Sequence, residues 1–503
     1  MDGFSRKEYL QLKMPTPSLA VSDQRRIELA LEALGYGRVT MPLEVLRKLY
    51  PMCRQADFDI TVTLVHREQD WFVTDVEPGD QTRHHYALAV DYGSTNIVME
   101  LVDMNSGTVI GSEKLPNGQI AHGTDILTRI THAMEHGPEP LQQATLDTFH
   151  RLLDALTEQT GIDAAKCPVM ILSGNTAMIH FLLGLDAWTV FADPYAPVTT
   201  DPGFFRGREL GMEFDGLVYV IPAASNYVGG DIVSGLLTLD LHKQEEPAMF
   251  FDIGTNGELV IGNRDWLLAG AGAAGPALEG YISKFGMRAE PGAVDSVKIE
   301  GDSLKITTIA GAAPRGICGS GIIELLAQMR KKGWMDMAGN LEPSASDSII
   351  FLPDEQEYGI VYAHAADGAP LYFSQTDIRQ YLDTKAAAYT MIDCLLESAG
   401  LEASALRQVY LSGAFAAHSD LESAITIGMF PDLPRERYRV LKNSSLDGAR
   451  LMLLDHSRLA QARALAENIY CVQFASIPDF LIRMQAAKFI PHTDFSRFPS
   501  VLN

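Results

Sequence analysis

The chain has 503 residues, 47% of them hydrophobic, and a formal net charge of −24. That is apolar material for two or three packed domains, which excludes a fibre or a disordered tail. So negative a balance also excludes a protein that wraps nucleic acid or an anionic membrane, because holding phosphates over a large surface takes clustered lysine and arginine.

Residues 1–15 interrupt their apolar positions with Arg6, Lys7, Glu8 and Lys13, and no apolar run reaches the roughly 20 residues of a membrane-crossing helix. Neither a signal peptide nor a transmembrane segment is expected, and the cytoplasm is the default location. Helical patterns at residues 23–34 and 42–50 precede two alternating runs, 60–65 and 71–76, joined by a polar turn. The two runs predict a hairpin, and with the helices a small α+β module over residues 1–83.

A short apolar strand at residues 87–90 then runs into Asp91-Tyr-Gly-Ser-Thr-Asn96, followed by a return strand at 97–102. About 160 residues on, the arrangement returns: strand 248–251, turn Asp252-Ile-Gly-Thr-Asn-Gly257, return strand 258–261. A third strand follows each hairpin, near 108–110 and 266–268. Two copies of strand, Asp-x-Gly-[Ser/Thr], strand indicate an internal duplication. The chemistry of the turn suits phosphate. Glycine lets the backbone approach closely, successive N–H groups and hydroxyls donate to oxygens, and the aspartate holds Mg²⁺ through water. Two such turns facing each other would clamp a polyphosphate. One turn alone is ordinary hairpin chemistry.

The candidate phosphate residues are therefore Asp91, Gly93, Ser94, Thr95 and Asn96 in the first turn, and Asp252, Gly254, Thr255, Asn256 and Gly257 in the second. Asp91 and Asp252 are the candidate Mg²⁺ carboxylates. Between the turns, Asn226 and Asp231 precede an apolar-periodic helix reaching about residue 241. Resemblance to the superfamily of actin, sugar kinases and heat-shock ATPases implies that one of them orients an attacking water or hydroxyl, although Asp231 also suits a helix N-terminus without any chemistry. A glycine-rich stretch, Arg315-Gly-Ile-Cys-Gly-Ser-Gly321, opens another helix, so Gly319 and Ser320 are candidate anion donors. Cys318 within it reads as a small residue filling a tight turn. Residues 269–275 read as a flexible loop. The strand at 409–411 ends in Ser412-Gly-Ala-Phe415, with a helix from about Asp420; the resemblance of this pattern to the same superfamily implies the adenosine side for Gly413, Ala414 and Phe415. The helical stripe at 377–398, from Ile378 through Tyr381, Leu382, Ala386, Tyr389 and Ile392 to Leu395, reads as core or dimer face.

Cys53, Cys167, Cys318, Cys394 and Cys471 stand far apart with no C-x-x-C pair, leaving no local iron–sulfur or zinc-ribbon motif. His132 and His136 share a helical spacing but not the H-E-x-x-H order, and read as a solvated helix face.

Gly174-Asn-Thr-Ala-Met178, Asp252–Glu258, Ala274-Gly-Pro-Ala-Leu-Glu-Gly280, Phe285-Gly-Met-Arg288, Gly316-Ile-Cys-Gly-Ser-Gly321 and Leu411-Ser-Gly-Ala-Phe415 together resemble the reductive activators of corrinoid-dependent enzymes. These are ATPases of the superfamily that holds actin, sugar kinases and heat-shock ATPases. The resemblance implies an α/β fold with a duplicated ribonuclease-H-like ATPase domain (84–247 and 248–503) behind the N-terminal module. It also implies Mg²⁺-ATP as cofactor, homodimerisation, and a corrinoid protein or methyltransferase partner returned from Co(II) to Co(I). Those relatives usually carry a cysteine-ligated iron–sulfur domain, and no such cluster stands in this sequence, so a separate ferredoxin-like donor is expected. A small-molecule phosphotransferase with Asp231 as base, or a chaperone-like assembly ATPase, needs the same two turns and stays open.

Overall fold

The computed structural model describes residues 3–254, 256–272 and 283–501. The chain forms two compact units, Met1–Leu239 with Ser444–Asn468, and Asp240–Asn443 with Ile469–Asn503.

The first unit opens with a strand the composition did not announce, Ser5–Gln11. It pairs antiparallel with Asp59–Arg67 at the edge of a four-stranded sheet, completed by Asp70–Pro78 and Val39–Thr40. An edge strand exposes much of its length, so charged residues are tolerated there, and Lys7 is held by Glu77 at 2.5 Å. The expected hairpin forms, and helices Asp23–Ala33 and Leu43–Gln55 cover it. Val45, Leu49 and Cys53 of the second helix, four apart, join Ile27, Leu31, Ile60, Val62 and Leu64 in one core.

A six-stranded sheet follows, in the spatial order Val109–Pro116, Asn96–Asp103, Tyr86–Tyr92, Val169–Gly174, Leu217–Val220, Gly203–Arg206. The first three form an antiparallel meander; Tyr86–Tyr92, Val169–Gly174 and Leu217–Val220 run parallel. Leu88, Ala89, Val90, Met170, Ile171 and Leu172 are all fully buried, as a strand covered on both faces requires. The helix Glu139–Thr160 supplies Leu141, Phe149, Leu152 and Leu156 to one core. Helices Gly230–Leu239 and Ser444–Leu454 pack on each other and on the parallel strands. The segment 444–468 also ties down the N-terminal module: Phe4 donates its backbone N–H to Leu453 O at 2.8 Å, and Arg463 makes a two-pronged pair with Glu68 while reaching Asp201.

The second unit repeats the sheet. Its order is Tyr438–Val440, Gln408–Ser412, Ala248–Ile253, Gly257–Gly262, Leu267–Gly272, Ile469–Cys471. Again a three-stranded antiparallel meander is flanked, on the side of its first strand, by two parallel strands. The duplicated α/β architecture is thus present over five strands; the sixth differs, Gly203–Arg206 lying antiparallel beside Leu217–Val220 in the first sheet and Ile469–Cys471 parallel beside Leu267–Gly272 in the second. Two three-stranded sheets, 293–317 and 349–374, are added. The helix Gln375–Ser398 is capped by Ser374 in a reciprocal box with Asp377, and the whole predicted stripe from Ile378 to Leu395 is buried in the core of this unit. Lys385, buried with it, donates to the carbonyls of Ala487, Phe489 and Pro491.

Two local expectations are corrected. Residues 269–272, expected in a loop, lie in the strand Leu267–Gly272. Their small size serves packing: a Cβ on Gly270 would come 2.4 Å from the Phe474 ring, and one on Gly272 2.3 Å from Met391 Sδ. The rest of that expected loop and the Ala274–Gly280 motif fall outside the described residues. After Gly413 the chain becomes helical at once, in Ala414–His418, and Asp420 caps a second short helix, Leu421–Thr426. No helix among the described residues is long and apolar enough to cross a membrane.

Candidate functional site

In the first unit the turn from Gly93 to Thr95 joins two antiparallel strands, and a Cβ on Gly93 would sit 2.6 Å from Asn96 O. The turn is held from behind by Asn117. Its backbone N–H donates to Thr95 O and its Nδ2 to Gly93 O, both at 2.9 Å. Beneath it lies a buried polar network. Tyr92 Oη meets Thr145 Oγ1 at 2.8 Å, and Gln119 Nε2 donates to both at 3.0 and 2.7 Å. Arg129, also buried, donates to Gln119 Oε1 at 3.3 Å. Burial pushes the Tyr92 phenol well above its ordinary range, so it stays a neutral partner in this network at any working pH.

Asp91 is in parallel register with Ser173. Gly174 ends that strand, and Asn175 caps the next helix by accepting from Ala177 N at 3.1 Å. Asp231 lies in the first turn of the helix Gly230–Leu239, its Oδ1 accepting from Ile232 N at 2.9 Å. It is also beside the Gly174–Asn175 turn, since a Cβ on Gly229 would be 2.6 Å from both Asp231 Oδ1 and Asn175 Cα. Asp91, the Gly93–Thr95 turn and Asp231 therefore gather at the carboxyl ends of the parallel strands, where open α/β sheets bind ligands. Asn226 is placed differently. It is buried, and its Nδ2 donates to Val190 O at 3.1 Å, so its amide is spent on holding a neighbouring loop.

The second unit repeats the register: Asp252 lies opposite Ser412, and Gly413 follows. Gly413 has φ +93°, and a Cβ there would lie 2.2 Å from Ile253 O and 2.9 Å from Asp252 Oδ1. The turn is closed by Gly254 N donating to Asn256 O at 2.9 Å, and Gly257 starts the return strand opposite Ile253. Thr255 falls outside the described residues, and of Ala414 only the backbone is described. Phe415 packs into the core of this unit. Gly319 and Ser320 open the helix Gly319–Lys332 and are both buried. Cys318 fills the preceding turn, its Sγ 3.4 Å from Val294 O and 3.3 Å from Ser320 Oγ. Gly321 is glycine for packing, because a Cβ would be 2.4 Å from Val294 O.

Three contributors escaped the linear reading: Asn117, Ser173 and Ser445, whose Oγ donates to Asp91 Oδ1 at 2.8 Å. One signal was available. Leu172-Ser173-Gly174 and Leu411-Ser412-Gly413 are the same tripeptide at the end of an apolar strand, a third repeated element beside the two turns.

Elsewhere, His132 stacks on His136 at 4.3 Å on a helix whose polar side is exposed. Among the described residues no three His, Cys, Asp or Glu side chains are grouped to hold a metal ion. A cavity of about 490 Å³ in the first unit is lined by none of the predicted site residues, and its charges are matched in pairs such as Lys48–Asp75 and Arg206–Glu44.

Family models match the chain end to end: the RACo linker region over residues 1–83, the RACo middle region over 86–244, and the C-terminal domain of RACo, the ASKHA domain, over 246–502. The chain belongs to the RACo family. A solved structure titled as a reductive activator for corrinoid, iron-sulfur protein superimposes with a TM-score of 0.90 at 33% identity, over 99% of this chain and 81% of that one. The corrinoid activation enzyme RamQ of Eubacterium limosum is 28% identical over 88% of this chain and 79% of its own length. The [Co(II) methylated amine-specific corrinoid protein] reductase of Methanosarcina barkeri is 23% identical over 76% and 73%. RACo membership places the duplicated α/β fold in the ASKHA class.

Proposed function

We propose that this RACo-family chain binds Mg²⁺-ATP and uses its hydrolysis to help return an inactive Co(II) corrinoid, on a partner protein or methyltransferase, to Co(I). The observation that carries the nucleotide reading is the repeated register: aspartate on a hairpin strand, serine opposite, glycine next, then a helix, in both sheets. The corrinoid target is supported by the names of the relatives.

The residues fit the group. Among the described residues, a Cβ on Gly254 would meet Asn256 O at an ordinary 3.9 Å. Packing among the described residues therefore does not call for glycine at 254, whereas close approach of a ligand to the backbone does. Asp91 in its turn and Asp252 in the other are the carboxylates that would hold Mg²⁺. The N–H and hydroxyl groups of Gly93, Ser94, Thr95 and Asn96, and of Gly254, Thr255, Asn256 and Gly257, take phosphate oxygens. Gly413 and Ala414 would take the adenosine side, and the buried helix N-terminus at Gly319 and Ser320, which has no side-chain cap, favours negative charge. Asp231 orients the attacking water. Bound ATP supplies the free energy that lifts one electron onto Co(II). That electron comes from a donor outside residues 1–503, which we take to be a separate low-potential iron–sulfur protein; four of the five cysteines are buried singly.

The test is the visible spectrum of a Co(II) corrinoid protein mixed with this chain, Mg²⁺-ATP and a low-potential reductant. ATP-dependent Co(I) absorption that disappears with Asp252→Ala is expected. ATP turnover with no Co(I) across several corrinoid partners would overturn the corrinoid reading in favour of a phosphotransferase or assembly ATPase.

A further inference from the structure

The helix Ser444–Leu454 is where the chain re-enters the first unit, and its second residue reaches the phosphate turn across 354 positions of sequence. Ser445 Oγ lies 2.8 Å from Asp91 Oδ1 and 2.9 Å from Ser173 Oγ, and Ser173 Oγ is 3.2 Å from Gly230 O. Ser173 is fully buried and Ser445 is 5% exposed, so water does not compete for these hydroxyls. Valence fixes the Asp91 end of this chain. An ionised carboxylate only accepts, so the single Ser445 proton goes to Asp91, while the single Ser173 proton is shared between Gly230 O and Ser445 Oγ.

From this we infer that Ser445 is a positioning residue for Asp91: it fixes the rotation of the carboxylate and thereby the direction in which the other oxygen faces a hydrated Mg²⁺. The register with Ser173 puts both side chains on the face that the returning helix covers, and the positive end of that helix adds to the preference for an anion at Asp91. The inference rests on the Mg²⁺-ATP reading of the first turn.

The experiment titrates Mg²⁺ against ATP binding and turnover for the full chain, Ser445→Ala and Ser445→Thr. Ser445→Ala is expected to raise the Mg²⁺ half-saturation about tenfold, the loss of one hydrogen bond to a charged group. Binding of ATP in excess EDTA should not change, and Ser445→Thr should restore the wild-type titration. A merely structural role would lower the melting temperature without moving the Mg²⁺ dependence. Should Ser445→Ala fail to fold, Ser173→Ala, which removes the hydroxyl that holds Ser445 Oγ from behind at 2.9 Å, is expected to shift the titration the same way by a smaller factor. Wild-type chain that binds no Mg²⁺-ATP would sink the nucleotide reading itself. Wild-type binding with superimposable Mg²⁺ titrations for the alanine variants would overturn this inference alone.

Discussion

Two candidate-site glycines of the second unit, Gly254 in the phosphate turn and Gly413 after the neighbouring strand, differ in what surrounds them. Gly413 has a left-handed φ of +93°, with Ile253 O 2.2 Å from where a Cβ would be, and a backbone carbonyl inside a sheet cannot yield. Among the described residues, the nearest atom to that position at Gly254 is Asn256 O at 3.9 Å. Gly413→Ala is therefore expected to lower stability by about 2 kcal/mol or more, from strain and overpacking together. Gly254→Ala should melt within a degree or two of the wild type yet bind Mg²⁺-ATP about tenfold more weakly or worse, because its methyl occupies space a phosphate needs. Thermal melts paired with nucleotide titrations separate the two; equal affinity for Gly254→Ala and wild type would remove the ligand explanation for that glycine.

At the scale of elements, the helices Gly230–Leu239 and Ser444–Leu454 of the first unit pack directly on each other. A Cβ on Gly448 would be 2.0 Å from Ser234 O and 2.4 Å from Ser234 Oγ, and Ser234 Oγ donates to Ser445 O at 2.6 Å. In a solvent-exposed helix, alanine would be favoured over glycine by about 1 kcal/mol; here the missing side chain is what lets the helices meet. Gly448→Ala is predicted to destabilise the chain by about 2 kcal/mol despite its better propensity, read as a lower melting temperature. A raised melting temperature would show that the helices separate at little cost. Ser445 is three residues away on the same helix, so the variant should also disturb the Asp91 contact.

Over the whole molecule, each unit buries a histidine that the fold keeps neutral. His85, with Nε2 2.8 Å from Ser5 Oγ, is lowered to about 4, chiefly by burial and then by the Lys7 charge. His492 is lowered to about 4, by burial and by Arg497 and Lys385. The unfolded chain takes up these protons near 6.5, so between about 4 and 6.5 it binds more protons than the folded one, and stability falls as pH drops through that window. For His85 the full loss is up to about 3 kcal/mol. Urea unfolding followed from pH 7.5 to 4.5 should show a shallower decline for His85→Gln than for wild type; parallel curves would mean that His85 is not the titrating group.

The sequence by itself determined the duplicated Asp-x-Gly turns, the strands on either side of them, the helix from residue 377 and its apolar stripe, and through its motifs the corrinoid-activator resemblance. Those features are local: an alternation, a glycine and an aspartate a few positions apart fix strand, turn and ligand chemistry without knowledge of distant residues. The edge strand Ser5–Gln11 and the continuation over 269–272 of the strand expected near 266–268 were not legible, the first because an edge tolerates charge, the second because small residues that pass under Phe474 and Met391 look the same as a loop. Only the tertiary structure decided that Asn226 is committed to Val190, that Asn117 clamps the first turn, and that Ser173 and Ser445 stand behind Asp91. Each of those pairings closes a loop of tens to hundreds of residues, and a hydrogen bond of that kind is set by where whole sheets and helices pack, which no spacing along the chain encodes.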